Sequence, residues 1–140
     1  MNELDQFIKH DLKVRNYVRY TDDFVIVAES REYLEHLVLR IELFLQEELL
    51  LTLHPRKIIL QPFHRGIDFL GYVTFPHHRL VRTKTKKRIL KKMRESARKH
   101  EEGIITKTTL DQSLQSYLGV LSHASAHQLR EKIINEFWIF

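Results

Sequence analysis

The sequence predicts an α+β fold, with a small antiparallel sheet, one long covering helix and then a helical region. Three observations predict it. Two β-prone stretches, 17–20 and 24–28, flank the polar triplet Thr21-Asp22-Asp23, which is the pattern of a hairpin with a polar tip. Apolar residues across 30–50 recur at helical spacing. Beyond residue 82 the remaining apolar patterns are all helical. The expected organisation is therefore a sheet-bearing part over 1–82 and a helical part over 83–140.

Composition limits the function classes. The chain has 140 residues and no cysteine, so it has no disulfide framework and no thiolate metal site. No apolar run approaches the roughly 20 residues of a membrane span, and no basic leader with an apolar core opens the chain. A cytoplasmic protein with no membrane partner is expected. The net charge of +5 is unevenly spread. Residues 82–100 hold ten Lys and Arg against one Glu, which leaves the rest of the chain net acidic. A local run of one sign is the footprint of a polyanionic partner.

Taken in order, residues 3–13 are expected to be helical, with Leu4, Phe7, Ile8 and Leu12 on one face and with Asp5 and Asp11 as solvated surface. The hairpin follows. Its second strand is apolar throughout, as in strands covered on both faces. Ser30 is an N-cap for the helix over 30–50, and Leu34, Leu37, Val38, Ile41, Phe44, Leu45 and Leu49 form its core stripe. A short strand over 49–53 is expected next. Pro55 then forces a turn, in which His54 serves structure, and Lys57 opens a strand over 58–60. Residues 67–75 are expected to be one strand entered through Gly66, with Gly71 marking a bulge or a close approach of another backbone. Pro76-His77-His78 turns the chain into a partner strand, Arg79-Leu80-Val81-Arg82. The adjacent histidines diverge and lack a third ligand, so no metal role is assigned to them.

Residues 83–100 form a basic helix with the narrow apolar stripe Ile89, Leu90, Met93 and Ala97. A solvated face normally mixes signs, so this one is expected to contact phosphates without reading sequence. Its candidate contacts are Arg82, Lys84, Lys86, Lys87, Arg88, Lys91 and Lys92. Gly103 ends the pattern, and Thr106 or Thr108 caps a helix carrying Leu110, Leu114, Tyr117, Leu118 and Leu121. Ser125 and Gln128 form a capping box for a last helix, which leads into the apolar tail 137–140.

Adjacent carboxylates at a hairpin tip repel unless a cation lies between them, although Asp is also a common turn residue. Hard divalent ions take such oxygens together with substrate phosphates. With its flanking strands, Tyr20-Thr21-Asp22-Asp23 resembles the Tyr-X-Asp-Asp motif of reverse transcriptases. Leu53-His54-Pro55-Arg56-Lys57 looks like that family's lysine motif, and Gly66-Ile67-Asp68-Phe69-Leu70-Gly71-Tyr72 looks like its primer-grip hairpin. The pattern is most similar to enzymes of bacterial or phage retroelements, of the diversity-generating or group II intron-related type.

The resemblance implies the later part of a palm over 1–82 and a thumb over 83–140. The parent activity would be RNA-directed DNA synthesis on an RNA template with a DNA primer and a dNTP. Two Mg²⁺ ions (or Mn²⁺) would be held by Asp22 and Asp23, with Asp22 as the main ligand. Lys57 would serve the departing pyrophosphate. Tyr20 would lie under the primer terminus or the incoming base, and Phe69, Leu70 and Gly71 would hold the primer. The family's third aspartate and its fingers would precede residue 1. The isolated chain is therefore expected to be inactive and, with apolar sheet surface uncovered, prone to self-association. The competing expectation is a non-catalytic basic nucleic-acid-binding module in which Asp22-Asp23 is only a turn.

Overall fold

The computed structural model describes residues 2–137 and gives an α+β chain with two small antiparallel sheets. Packing divides it into two units, Met1–Pro62 and Phe63–Phe140. The division falls before the second sheet rather than at residue 82. That sheet shares a core with the helices that follow it.

In the first unit, α1 (Asn2–Gln6) widens into a π-helical turn over Phe7–Asp11. Strands β1 (Tyr17–Tyr20) and β2 (Asp23–Ile26) form the expected hairpin, and α2 (Arg31–Leu49) follows. Leu4, Ile8, Leu12 and Val14 meet Leu37, Ile41 and Leu45 of α2 in one core. Strand alternation puts Tyr17, Phe24 and Ile26 against this core and leaves Val18 and Tyr20 exposed. Ser30 caps α2 as expected, with its hydroxyl oxygen accepting from the Tyr33 N–H at 3.2 Å.

The strand expected over 49–53 does not form. Helix α2 continues to Leu49, Leu50 takes the left-handed conformation (φ 53°), and the Leu51 N–H closes back on the Leu45 carbonyl at 2.8 Å. This cap turns the chain before an extended run can begin. Nor does Lys57 open a strand, because Pro55 starts a 3₁₀ turn over Pro55–Lys57 and 58–60 pairs with nothing in a ladder. His54 serves that turn, its Nδ1 accepting from the Arg56 N–H at 3.3 Å.

The second unit holds β3 (Ile67–Phe69), β4 (Tyr72–Thr74) and β5 (Arg79–Val81), then α3 (Thr83–Glu101), α4 (Lys107–Ser122) and α5 (His127–Phe137). The strand expected over 67–75 is in fact two strands paired across a two-residue turn, Leu70-Gly71. Both turn residues have positive φ, 52° and 84°, as type I′ hairpins require. Gly71 thus sits in a turn, and a Cβ there would lie 3.1 Å from Thr85 Oγ1, at the start of α3. The Tyr72 hydroxyl donates to the Val120 carbonyl at 2.9 Å and ties the sheet to α4.

Val81, Ile89, Met93, Leu110, Leu114, Leu118, Leu121 and Ile133 build the second core, and Phe137 closes it. Thr106 caps α4, accepting from the Thr109 N–H at 3.2 Å. The capping box at Ser125 gives way to another contact. The Ser125 N–H donates to the Arg79 carbonyl at 2.7 Å, and the first bond of α5 runs from Arg130 N–H to the Ala126 carbonyl. Residues 138–140 of the apolar tail lie outside the described residues.

Candidate functional site

The β1–β2 turn is built by two residues, Thr21 and Asp22, between the paired Tyr20 and Asp23. Thr21 has φ 54°, a strained conformation for a β-branched residue, costing on the order of 1–3 kcal/mol. Its neighbours hold it there. The Thr21 hydroxyl lies 2.7 Å from the Tyr20 carbonyl and 2.9 Å from Asp22 Oδ1, so two acceptors share one proton. Arg19 Nη1 donates to the Thr21 carbonyl at 2.6 Å.

Arg19 is in turn fixed from behind. Its Nε and Nη2 donate to the two carboxylate oxygens of Asp5 at 2.8 and 2.5 Å, and the Tyr17 hydroxyl donates to Asp5 Oδ1 at 2.6 Å. Asp5 is therefore not the solvated surface residue that its helical position suggested. The Arg19 and Tyr17 donors hold its carboxyl well below the ordinary value of 3.8, while burial and Asp5 push the Tyr17 hydroxyl up. The Arg19 and Asp5 side chains are only 19% and 25% exposed. Sequence reasoning missed this clamp. Its one available signal was alternation, which puts the cation Arg19 on the same strand face as Tyr17.

The clamp predicts a pH effect. A carboxyl depressed in the folded state contributes stability above pH 4, and that contribution is lost as pH falls below the ordinary carboxylate range. Asp5→Asn should lower the melting temperature by roughly 5 °C at neutral pH. The variant should also lose part of the acid sensitivity between pH 5 and 2, measured by thermal melts across that range. Equal acid sensitivity in both proteins would contradict the assignment.

The two carboxylates at the tip are unequal. Asp22 lines a cleft of about 430 Å³ with Arg19, Thr21, Phe24, Thr52 and Leu53. Its carboxyl is held below the ordinary value, first by the Thr21 hydroxyl, then by its own backbone N–H, with the Lys57 charge acting in the same direction. Asp23 pairs with Tyr20, and alternation puts the two on the outer face with Val18. Tyr20 is 60% exposed there. As donors, Asp22 and Asp23 offer hard oxygens of the kind Mg²⁺ or Mn²⁺ takes, with waters or phosphate oxygens needed to complete an octahedron. Among the described residues no group of three or more His, Cys, Asp or Glu side chains could hold a metal.

The first unit thus contains Tyr20, Asp22, Asp23 and Lys57, and the Lys57 charge reaches Asp22. The second unit carries Phe69, Leu70 and Gly71 at its hairpin, together with the basic helix. Leu70 is exposed at the turn. His78 stacks on Phe75, with centroids 4.6 Å apart, and so has a packing role.

Helix α3 sorts its own cations. Ile89 and Met93 point into the core, and Lys86, half-buried, lies on their side. Lys84, Lys87, Arg88, Lys91 and Lys92 are exposed on the opposite side, where Arg98 and Lys99 continue the stripe. Lys87, Lys91, Arg94 and Arg98 edge a shallow groove along the helix. Arg82 is engaged elsewhere, its Nε donating to Asp68 Oδ2 at 2.5 Å. Arg94 pairs with Glu136 at 2.9 Å.

No protein-family model matches the chain, and no curated protein matches it.

Proposed function

We propose that the chain is the palm-and-thumb portion of a retroelement reverse transcriptase, an RNA-directed DNA polymerase that extends a DNA primer on an RNA template. The observation that carries this proposal is the strained Thr21-Asp22 turn, which is clamped through Arg19 and offers an ionised Asp22 to a cleft within reach of the Lys57 charge. Backbone strain held by neighbouring groups tends to mark functional sites. Asp22 would be the main ligand for Mg²⁺ or Mn²⁺, with Asp23, on the outer face, a supporting carboxylate. Bound there, the metal would stabilise the attacking and leaving oxygens of a nucleotidyl transfer. Lys57 would steady the negative charge of the leaving pyrophosphate. Tyr20 offers an exposed ring to the primer end, and Phe69, Leu70 and Gly71 would bear on the primer strand. Among the described residues no third carboxylate joins Asp22 and Asp23 in a metal-holding group, and the chain by itself should incorporate no dNTP above background in a primer-extension assay.

The exposed stripe of α3 would hold the RNA–DNA hybrid by its phosphates, with affinity that falls steeply as salt rises. Titrating a labelled hybrid across a salt series tests this. Lys84→Gln and Lys91→Gln should each reduce the slope of log affinity against log salt by about 1. Lys86→Gln, on the core side, should leave the slope unchanged. A salt-insensitive affinity would remove the nucleic-acid function altogether.

A second function, a non-catalytic basic binding module, is favoured by that same stripe, because it stands whatever Asp22 does. The two functions part on substitution of Asp22.

A further inference from the structure

The charge along α3 changes abruptly half-way down the helix. Residues 82–92 carry seven Lys and Arg and no carboxylate. Residues 93–102 carry Arg94, Arg98 and Lys99 against Glu95, Glu101 and Glu102, so their net charge is zero. The carboxylates also stand where a partner would meet them. With 3.6 residues per turn, Lys84, Lys91, Glu95 and Glu102 fall within about 20° of one line along the exposed side. That line reads two cations and then two carboxylates. Glu95 lies in the groove along α3 and pairs with Lys91 at 3.9 Å. Glu102 pairs with Arg98 at 3.6 Å, and Glu136 of α5 takes Arg94 at 2.9 Å. Exposed pairs of this kind are weak, so they do not lock the cations in place. The local field is what differs: a phosphate over the second half meets as many carboxylates as cations.

Given the hybrid-binding function proposed above, we infer that the nucleic-acid backbone crosses α3 over its first half, at Lys84, Lys87, Arg88, Lys91 and Lys92, and does not run along the helix. Glu95 and Glu102 set that limit. From Lys84 to Lys92 the helix rises about 12 Å, and about 10 Å more separates Lys92 from Lys99. A backbone laid along the axis would bring its phosphates onto Glu95 and Glu102. One laid across the first half has five exposed cations in reach and keeps the carboxylates at or beyond its edge. Arg98 and Lys99 prolong the stripe in position, yet the carboxylates around them offset their charge. Glu95, one turn past Lys91 and Lys92, is therefore a positioning residue, which fixes where the duplex lies without contacting it favourably.

Binding of a labelled RNA–DNA hybrid to the 140-residue chain across a salt series tests the crossing, with circular dichroism to verify that each surface variant stays folded. Lys87→Gln, Arg88→Gln and Lys92→Gln should each reduce the slope of log affinity against log salt by about 1. Arg98→Gln and Lys99→Gln should leave the slope unchanged. Glu95→Lys should raise the affinity at low salt about threefold to tenfold, and Glu102→Lys by less than about twofold. The crossing is overturned if Arg98→Gln or Lys99→Gln reduces the slope as much as Lys92→Gln does. It is equally overturned if Glu95→Lys gains nothing, or if Glu102→Lys gains as much as Glu95→Lys. In each of those cases hybrid binding itself still stands. An affinity of the unaltered chain that ignores salt would instead remove the hybrid-binding function, and the crossing with it.

Discussion

Replacing Asp22 with Asn is expected to abolish DNA synthesis in a polypeptide that supplies the remaining palm and fingers, with a loss of more than about 10³-fold. The substitution keeps size and hydrogen-bonding capacity at the turn. Its Oδ1 can still accept from the Thr21 hydroxyl, now 2.9 Å from the carboxylate, so the hairpin should fold as before. What it removes is the negative charge that would neutralise a divalent ion. Asp23→Asn should cost less, on the order of 10–100-fold, because Asp23 lies on the outer face beside Tyr20 rather than in the cleft. The affinity of either variant for an RNA–DNA hybrid should stay within about twofold of the parent, since in the proposed function phosphate contacts on α3 would supply that binding. Full synthesis by Asp22→Asn would reduce Asp22-Asp23 to ordinary turn chemistry and leave the binding module as the surviving function.

The parts of this molecule that were legible in advance are those whose cause is local. The β1–β2 hairpin shows in sequence because its polar tip and β-prone flanks are contiguous. Helix α2 shows because Ser30 and an apolar repeat lie in one window. The features that sequence hid have causes spread along the chain or lack a residue signature. Leu50 ends α2 in a left-handed conformation without the glycine that normally announces such a cap, so an extended run looked reasonable there. Leu70-Gly71 forms a tight turn without the Asn-Gly pair that marks one, and its strands read as a single strand. At the candidate site, Tyr20, Asp22 and Asp23 are neighbours in sequence and were found together. The clamp behind them joins Asp5 to Arg19, fourteen residues apart, and only the fold brings that carboxylate to the strand. Helix α3 lies between these cases. Its charge was plain, but the separation of Lys86 from the exposed stripe required knowing which side meets the core.

Gly66→Ala is expected to be the most damaging conservative change in the second unit. Gly66 is buried with φ 82°, a conformation that costs a residue with a Cβ roughly 1–2 kcal/mol. A Cβ there would also lie 2.7 Å from Val73 Cγ1 and 2.7 Å from Phe75 Cε1. Phe75 has little room to give way, because its ring stacks on His78 and its N–H donates to the His78 carbonyl at 2.8 Å. Val73 sits in the central strand of the three-stranded sheet, so moving it disturbs both ladders. Strain and overpacking together should cost about 2–4 kcal/mol, enough to lower the melting temperature of a unit this size by more than roughly 10 °C. Gly119→Ala is the matched control. Gly119 lies inside α4 with nothing within 4 Å of the added Cβ, so alanine there should stabilise by about 0.5–1 kcal/mol through helix propensity alone. Chemical denaturation of both variants separates the causes. If Gly66→Ala proved as benign as Gly119→Ala, the Phe63–Phe69 entry to the hairpin would have to follow a different path from the one described.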